Sequence, residues 1–520
     1  MLTKNMKNGT SSKPPQSEFR IYLKRDIIYL LFVSVLSSLI LLRSFSPEQF
    51  LGGLFISAVF FAIFYKDILR YRPSYVRQRK ILLLLGVIVL GTLLLGRTFD
   101  FLVSSLAKGT KYFTEESSRY LLPIPAGAML ITLLFDFHTA LLFSFFTSLL
   151  TGIWLNDVII AFYFFIANTV ASFSVIRCKK RTDILMGGIF VSAINVLTVL
   201  VLLLFTGDLF SSKTVPDIVI AALNGIVVAT VVSIALPLLE FLFKRTTDIS
   251  LLELLDLNQP LMRNLMITAP GTYHHSVIVG NLVEAAADSV GVNPLLARVN
   301  AYYHDIGKVK MPDYFVENQA GSMSRHDKLN PHMSSMILIS HVKEGVELAR
   351  QYKLPQIVTD IIEQHHGTNL ITYFFQKAKG ETGETPREED YRYPGPRPQS
   401  RVAALVMLAD AVEASSRVLK DPTPSRIEAL VDKIVNHVFL DGQLDECELT
   451  LKDISSIKKN FTYILTGIFH KRIDYPSFDF NAEKTPAEPK GGIDGSLDNK
   501  PAETGRYRSE EITEGRKPSP

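Results

Sequence analysis

Ala301-Tyr302-Tyr303-His304-Asp305-Ile306-Gly307-Lys308 places an adjacent histidine and aspartate near the end of an apolar helical segment. A buried carboxylate with no partner is costly, or it takes up a proton. A metal ion ligated by both side chains removes that cost. A helix end closed by Gly307, with His304 as a satisfied core histidine, is the plainer reading of the pair taken alone. The distribution of histidines decides between them. Of the eleven in the chain, eight fall between residues 274 and 366: His274, His275, His304, His326, His332, His341, His365 and His366. His275 shares a helical face with Ile278, Val279, Leu282 and Ala286, and His341 with Ile337, Leu338 and Leu348, so both are expected to point into a core. His365-His366 follows the apolar stretch Leu354–Ile362 and meets Gly367, a helix stop. Asp410 ends a run of consecutive apolar residues, Val402–Ala409. Imidazole-rich sites with one or two carboxylates suit Fe, Mn, Zn or Ni better than Mg or Ca. Six or seven such ligands are too many for one ion, so two divalent transition metal ions are expected, with Asp305 as the natural bridge.

The rest of the chain has two compositions. Its 520 residues leave room for two or three domains. A mean hydropathy of +0.20 is high for a soluble protein, and the apolar residues lie mostly in the first half. The net charge of +4 is small, and no nucleic acid polymer is expected as a partner. Cys178 and Cys447 stand far apart and fit neither a disulfide framework nor a zinc cluster, which favours a reducing compartment.

Apolar runs at 27–42, 50–65, 81–96, 121–135, 138–154, 158–176, 184–206 and 217–243 give about eight membrane spans. Several are shorter than the roughly 20 residues of a full span. Lys and Arg number eighteen in the segments 1–26, 66–80, 177–181 and 244–245, which fall on one side, against six on the other. That bias places both termini and the histidine cluster in the cytoplasm. Asn168, Asn195 and Asn224 sit in three different spans, where buried amides act as interhelical glue; a ligand pocket is the alternative. Pro237 is expected to kink the last span.

From Thr246 the sequence is that of a soluble helical domain. Thr247-Asp248 offers a helix cap, Pro260, Pro270, Pro294, Pro331 and Pro355 mark helix starts, and no strand period appears. Residues 377–400 are polar and are expected to form a long loop, which in a compact domain is usually functional or disordered. The expected organisation is all-α throughout. It comprises a cytoplasmic tail (1–26), a polytopic helical membrane bundle (27–245), a cytoplasmic all-α domain (246–475) and a disordered tail (476–520).

The order His275, His304-Asp305, His341, His365-His366, Asp410 resembles the HD phosphohydrolase superfamily in its seven-ligand dimetal form. Ala269-Pro270-Gly271-Thr272-Tyr273-His274-His275-Ser276, Tyr302–Lys308 and Tyr393-Pro394-Gly395-Pro396 resemble one branch, the seven-transmembrane HD proteins that hydrolyse cyclic di-AMP. The resemblance implies a bacterial inner-membrane phosphodiesterase that converts cyclic di-AMP to pApA with a metal-activated water. It also implies Fe or Mn as the metal, a homo-oligomer being left open. Asp305 would bridge, with His275, His304 and Asp410 completing one metal position and His341, His365 and His366 the other. Lys308 would hold a phosphate, and Tyr391 and Tyr393 in the 377–400 segment would stack on a purine. His274, His326 and His332 fall outside this ligand set. In one respect the chain departs from its relatives. They carry a large extracytoplasmic domain after the first span, where only Arg43–Gln49 stands here. Two rival readings are an HD hydrolase of another nucleotide and a non-catalytic nucleotide-binding membrane receptor. The cyclic di-GMP branch carries Gly-Tyr-Pro after its double histidine, whereas Gly367-Thr368-Asn369 follows here. The complete ligand set argues against a receptor.

Overall fold

A computed structural model of the chain describes residues 16–42, 46–71, 79–108, 114–319, 324–382 and 385–469. The expected tail at 476–520 lies outside the described residues, as does the start of the expected N-terminal tail. From Gln16 that segment is already helical. Among the described residues no strand occurs, only an isolated bridge between Leu370 and Arg392.

Each apolar run of the first half coincides with helical structure. The helices are α1 (Gln16–Leu41), α2 (Pro47–Tyr71), α3 (Arg79–Lys108), α4 (Ile124–Leu134), α5 (Phe137–Leu155), α6 (Val158–Ser174), α7 (Arg181–Thr206) and α8 (Thr214–Phe243). Among the described residues six segments are long and apolar enough to cross a membrane, one of them Glu115–Leu134, which includes α4. Val158–Ser174 is a shorter apolar helix, so eight is an approximate count. Phe55, Phe162, Phe205 and Phe241 stand exposed on these helices, as a lipid-facing surface requires. Local signals set the turns. Asp136 caps α5 by accepting from the Thr139 amide at 2.9 Å. That helix ends at Asn156 in the left-handed region (φ 52°), and Asp157 then caps α6. The helices α7 and α8 touch backbone to backbone, since a Cβ on Gly225 would stand 2.0 Å from the Gly188 carbonyl oxygen. Beside that crossing Asn195 Nδ2 donates to Asn224 Oδ1, and Asn224 Nδ2 to the Leu122 carbonyl, each at 2.9 Å. Pro237 lies inside α8, which continues to Phe243.

The chain leaves α8 at Lys244 (φ 51°) and enters α9 (Asp248–Leu254). The Glu240 carboxylate, in the last turn of α8, accepts from the hydroxyls of Thr247 and Ser250. Arg181, at the start of α7, forks onto Glu253 at 2.7 and 3.0 Å. There follow α10 (Pro260–Thr268), α11 (Pro270–Ala287), α12 (Pro294–Tyr303), α13 (Pro331–Gln351), α14 (Gln356–Gln364), α15 (Thr372–Thr382), α16 (Arg401–Ser416), α17 (Pro424–Leu440) and α18 (Leu451–Ile468). Every residue from Val402 to Ala409 is buried, which makes α16 the central helix, apolar all round. Val279, Leu282, Val283 and Ala286 of α11 pack in the same core with Val431, Val435, Ile457 and Phe461 of α17 and α18. The Tyr303 hydroxyl donates to the Leu254 carbonyl at 2.9 Å, tying α9 to the residue just before His304.

The 377–400 segment is not a loop throughout. Helix α15 runs on to Thr382 because Phe374, Phe375 and Ala378 form a buried face, and Glu388–Tyr391 makes one further helical turn. Beyond it the chain is strapped to the residues after His366. Ile371 N donates to Tyr391 O at 2.8 Å, Tyr393 N to Asn369 O at 3.1 Å, and the Arg392 guanidinium to Thr368 O at 2.9 Å.

Candidate metal centre

The seven predicted ligands come from five helices and meet at one point. His275 projects from α11, His304 and Asp305 follow α12, and His341 lies on α13. His365 and His366 follow α14, and Asp410 is on α16. All but His366 are buried. Asp305 sits at the middle with its side chain 1% exposed, and its two oxygens face different partners. Oδ2 lies 3.3 Å from His304 Nε2 and 3.7 Å from His275 Nε2. Oδ1 lies 3.3 Å from His341 Nε2 and 3.5 Å from His365 Nε2. Asp410 Oδ1 is 3.0 Å from His275 Nε2, and Oδ2 is 3.6 Å from His366 Nδ1. Two groups of ligand atoms thus share Asp305, each with its members within 4.8 Å of one another. One is His275, His304, Asp305 and Asp410; the other is Asp305, His341, His365 and His366.

The donor chemistry fits a metal. His304, His341 and His365 each donate Nδ1–H to the carbonyl three residues earlier, on Ala301, Leu338 and Ile362. That fixes the tautomer and turns the Nε2 lone pair to the centre, the arrangement a metal-ligating histidine uses. Among the described residues His275 Nε2, His304 Nε2 and both oxygens of Asp305 are buried without a hydrogen bond of acceptable geometry. Buried polar atoms are rarely left so. Lys308 Nζ approaches Asp305 Oδ2 at 2.6 Å as an ion pair and also reaches Glu317 Oε1 at 2.9 Å.

The site's charges follow from this packing. Burial alone would lower the His304 imidazole, yet the Asp305 and Asp410 carboxylates outweigh it and raise it to about 10. Burial dominates at His341, pushing it down to about 3 with help from His365 and Lys308. Burial and the neighbouring His365 likewise hold His366 well below the usual range. Asp305 and Asp410 are held far below the ordinary carboxylate range, because the surrounding cations and hydrogen bonds overcome the cost of burial. His341 and His366 are therefore neutral, and a cation binding beside Asp305 and Asp410 would compete with protons.

The structure places the other predicted residues unevenly. Tyr393 stacks on His366, with ring centroids 4.3 Å apart and planes at 24°, at the rim of the cluster. Tyr391 does not line the site. Its ring is 5% exposed and packs with Phe374 and Phe375, so a purine cannot stack on it; it anchors the strap instead. Lys308 is engaged by two carboxylates rather than free. His274 and His332 are exposed, and His326 donates Nε2–H to the Tyr314 carbonyl at 2.8 Å, so none of the three joins the cluster. One buried residue of the site escaped the sequence reading: Glu413, whose Oε2 lies 2.5 Å from His275 Nδ1. Its signal was a second carboxylate three residues after Asp410, on the same face of an otherwise apolar helix.

Comparison with known proteins gives two family matches. A family described as 7TM receptor with intracellular HD hydrolase matches residues 48–247, and the HD domain family matches residues 272–415. The cyclic di-AMP phosphodiesterase PgpH of Bacillus subtilis (strain 168) is 42% identical over 365 residues, 69% of this chain and 51% of that protein. This chain carries both domains of the seven-transmembrane HD hydrolases. A second member, PgpH of Listeria monocytogenes serotype 1/2a (strain 10403S), is 40% identical over 364 residues, 69% of this chain and 50% of that protein. The chain thus spans about half the length of the curated relatives it matches. The crystal structure of the L. monocytogenes PgpH HD domain in complex with cyclic di-AMP is 46% identical, with a TM-score of 0.40. The match covers 42% of this chain and 100% of that one. The apolar helices and the 7TM match make the chain a multi-pass membrane protein, and its HD domain implies dependence on a divalent metal.

Proposed function

We propose that this chain is a metal-dependent phosphodiesterase that hydrolyses cyclic di-AMP to pApA at the cytoplasmic face of a bacterial inner membrane. The observation that carries the proposal is the Asp305 carboxylate, which presents one oxygen to each of two histidine sets. In this reading His275, His304, Asp305 and Asp410 hold one Fe or Mn ion, and Asp305, His341, His365 and His366 hold a second. Metal ions held there would supply an acidified water and charge compensation for a phosphodiester during in-line displacement.

The chain's own residues do the rest. Lys308 offsets the charge of Asp305 and Glu317 and keeps the bridge ionised and in place. Tyr393, stacked on His366, presents the one aromatic ring of the strap that lies beside the cluster, and we assign it to substrate binding. The core Val402–Ala409 fixes Asp410 on a helix that cannot turn without repacking. The substrate assignment is supported by the two PgpH relatives, which are cyclic di-AMP phosphodiesterases, and by the sequence after His366, which lacks Gly-Tyr-Pro. We assign residues 27–245 to the membrane part and 246–475 to the hydrolase.

Purified protein supplied with Fe or Mn under anaerobic conditions is expected to convert cyclic di-AMP to pApA much faster than it hydrolyses cyclic di-GMP or a deoxynucleotide. Equal rates on both cyclic dinucleotides would reject the substrate. Reporter fusions after Lys80 are expected to be active only in the cytoplasm; periplasmic activity there would put the cluster out of reach of a cytoplasmic nucleotide.

A further inference from the structure

His275 differs from three other histidines of the cluster in what holds its far nitrogen. His304, His341 and His365 each lean on a neutral carbonyl of their own helix turn. His275 instead meets the Glu413 carboxylate, which arrives from α16. The Glu413 side chain is as buried as the ligands themselves, and its other oxygen, Oε1, accepts from Arg417 Nε at 2.7 Å, with Nη2 at 2.6 Å. Arg417 stands one turn further along the same helix, partly in solvent. The result is a continuous chain from the surface to the centre: Arg417, Glu413, His275, then Asp410 and Asp305. Nothing in the hydrolytic reading uses Glu413 or Arg417.

A buried carboxylate needs a strong reason to be there. Behind a metal-ligating histidine it supplies one, because it orients the ring and makes the opposite nitrogen a better donor. The two halves of the cluster are therefore unequal. The His275 half has two carboxylate ligands and a third carboxylate behind one of its imidazoles. The other half has three imidazoles and a shared oxygen of Asp305, and its His366 side chain is 20% exposed.

We infer that Glu413, locked by Arg417, is a positioning residue that makes the His275 half-site the tighter of the two metal positions. The His341, His365 and His366 half-site is then the exchangeable one that faces solvent. This rests on the two-metal reading of the cluster.

The test is a manganese titration of the full-length protein in detergent against a competing chelator, which yields binding constants without any turnover. Wild type is expected to give one tight and one weaker constant. Glu413→Gln keeps the shape and removes the charge, and should weaken the tight constant about 10- to 100-fold while the weaker one moves far less. Arg417→Met, which leaves Glu413 in place but unlocked, should weaken the same constant by a smaller factor; it serves as the test if Glu413→Gln does not fold. In a His341→Ala background, which disables the other half-site, the remaining constant should respond to Glu413→Gln as the tight one does. Two bound ions with both constants unchanged, or both weakened equally, would overturn the role of Glu413. Fewer than two ions in wild type would instead remove the two-metal reading beneath it.

Discussion

The membrane bundle and the hydrolase domain both bury polar side chains, but they satisfy them over very different distances. In the bundle the partner is mostly a residue's own helix. Ser34, Thr92, Ser144, Thr147 and Thr151 each donate to the carbonyl four residues earlier at 2.7 Å. Among its longer bonds is the neutral amide bridge between Asn195 and Asn224 on neighbouring helices, and Tyr65 donates to the buried Asp26 carboxylate of α1. In the hydrolase domain polar groups from five helices converge on one carboxylate, Asp305, which is ion-paired to Lys308 and has no hydrogen bond of acceptable geometry. Polarity satisfied within a helix holds a structure together and is tolerant of change. Polarity gathered from distant parts of the sequence and left incomplete has a ligand as its purpose.

Substitutions can break or sharpen this contrast. The largest effect should come from Asp305→Ala, which removes a ligand from both halves at once. Hydrolysis is expected to fall on the order of a thousandfold or more, roughly the 4 kcal/mol that metal stabilisation of the transition state supplies. Metal analysis should show at least one ion lost. Normal metal content with normal turnover would end the bridging role. A smaller effect, on stability alone, is expected at the bundle crossing. Gly225→Leu places a side chain against the Gly188 carbonyl and should cost about 1–3 kcal/mol, read as a lower thermal midpoint in detergent with both metals retained. Asn195→Leu removes only the amide bridge and should cost about 1 kcal/mol. Loss of metal in either bundle variant would show that the two regions are not independent.

Much of this was legible in the sequence because periodicity and clustering survive without coordinates. Eight apolar runs became helices, and the seven candidate ligands that the fold brings together were named by their clustering, by the apolar runs they end and by family resemblance. What failed has physical causes. The segment from residue 377 reads as polar, yet α15 continues through it because Phe374 and Phe375 anchor its first turns elsewhere in the pattern. Tyr391 and Tyr393 are indistinguishable as letters, but they meet different partners, one packed on Phe375 and the other on His366. Glu413 is one acidic residue among many until the fold brings α16 against α11. The partner of a long-range contact is not written beside it.

The proposed two-metal hydrolytic cluster is tested most directly by titrating metal-stripped full-length protein with manganese while following both bound ion and cleavage of cyclic di-AMP. The account predicts two ions per chain at saturation, with turnover appearing only as the second is taken up. Full turnover with a single ion, or with none, would contradict it.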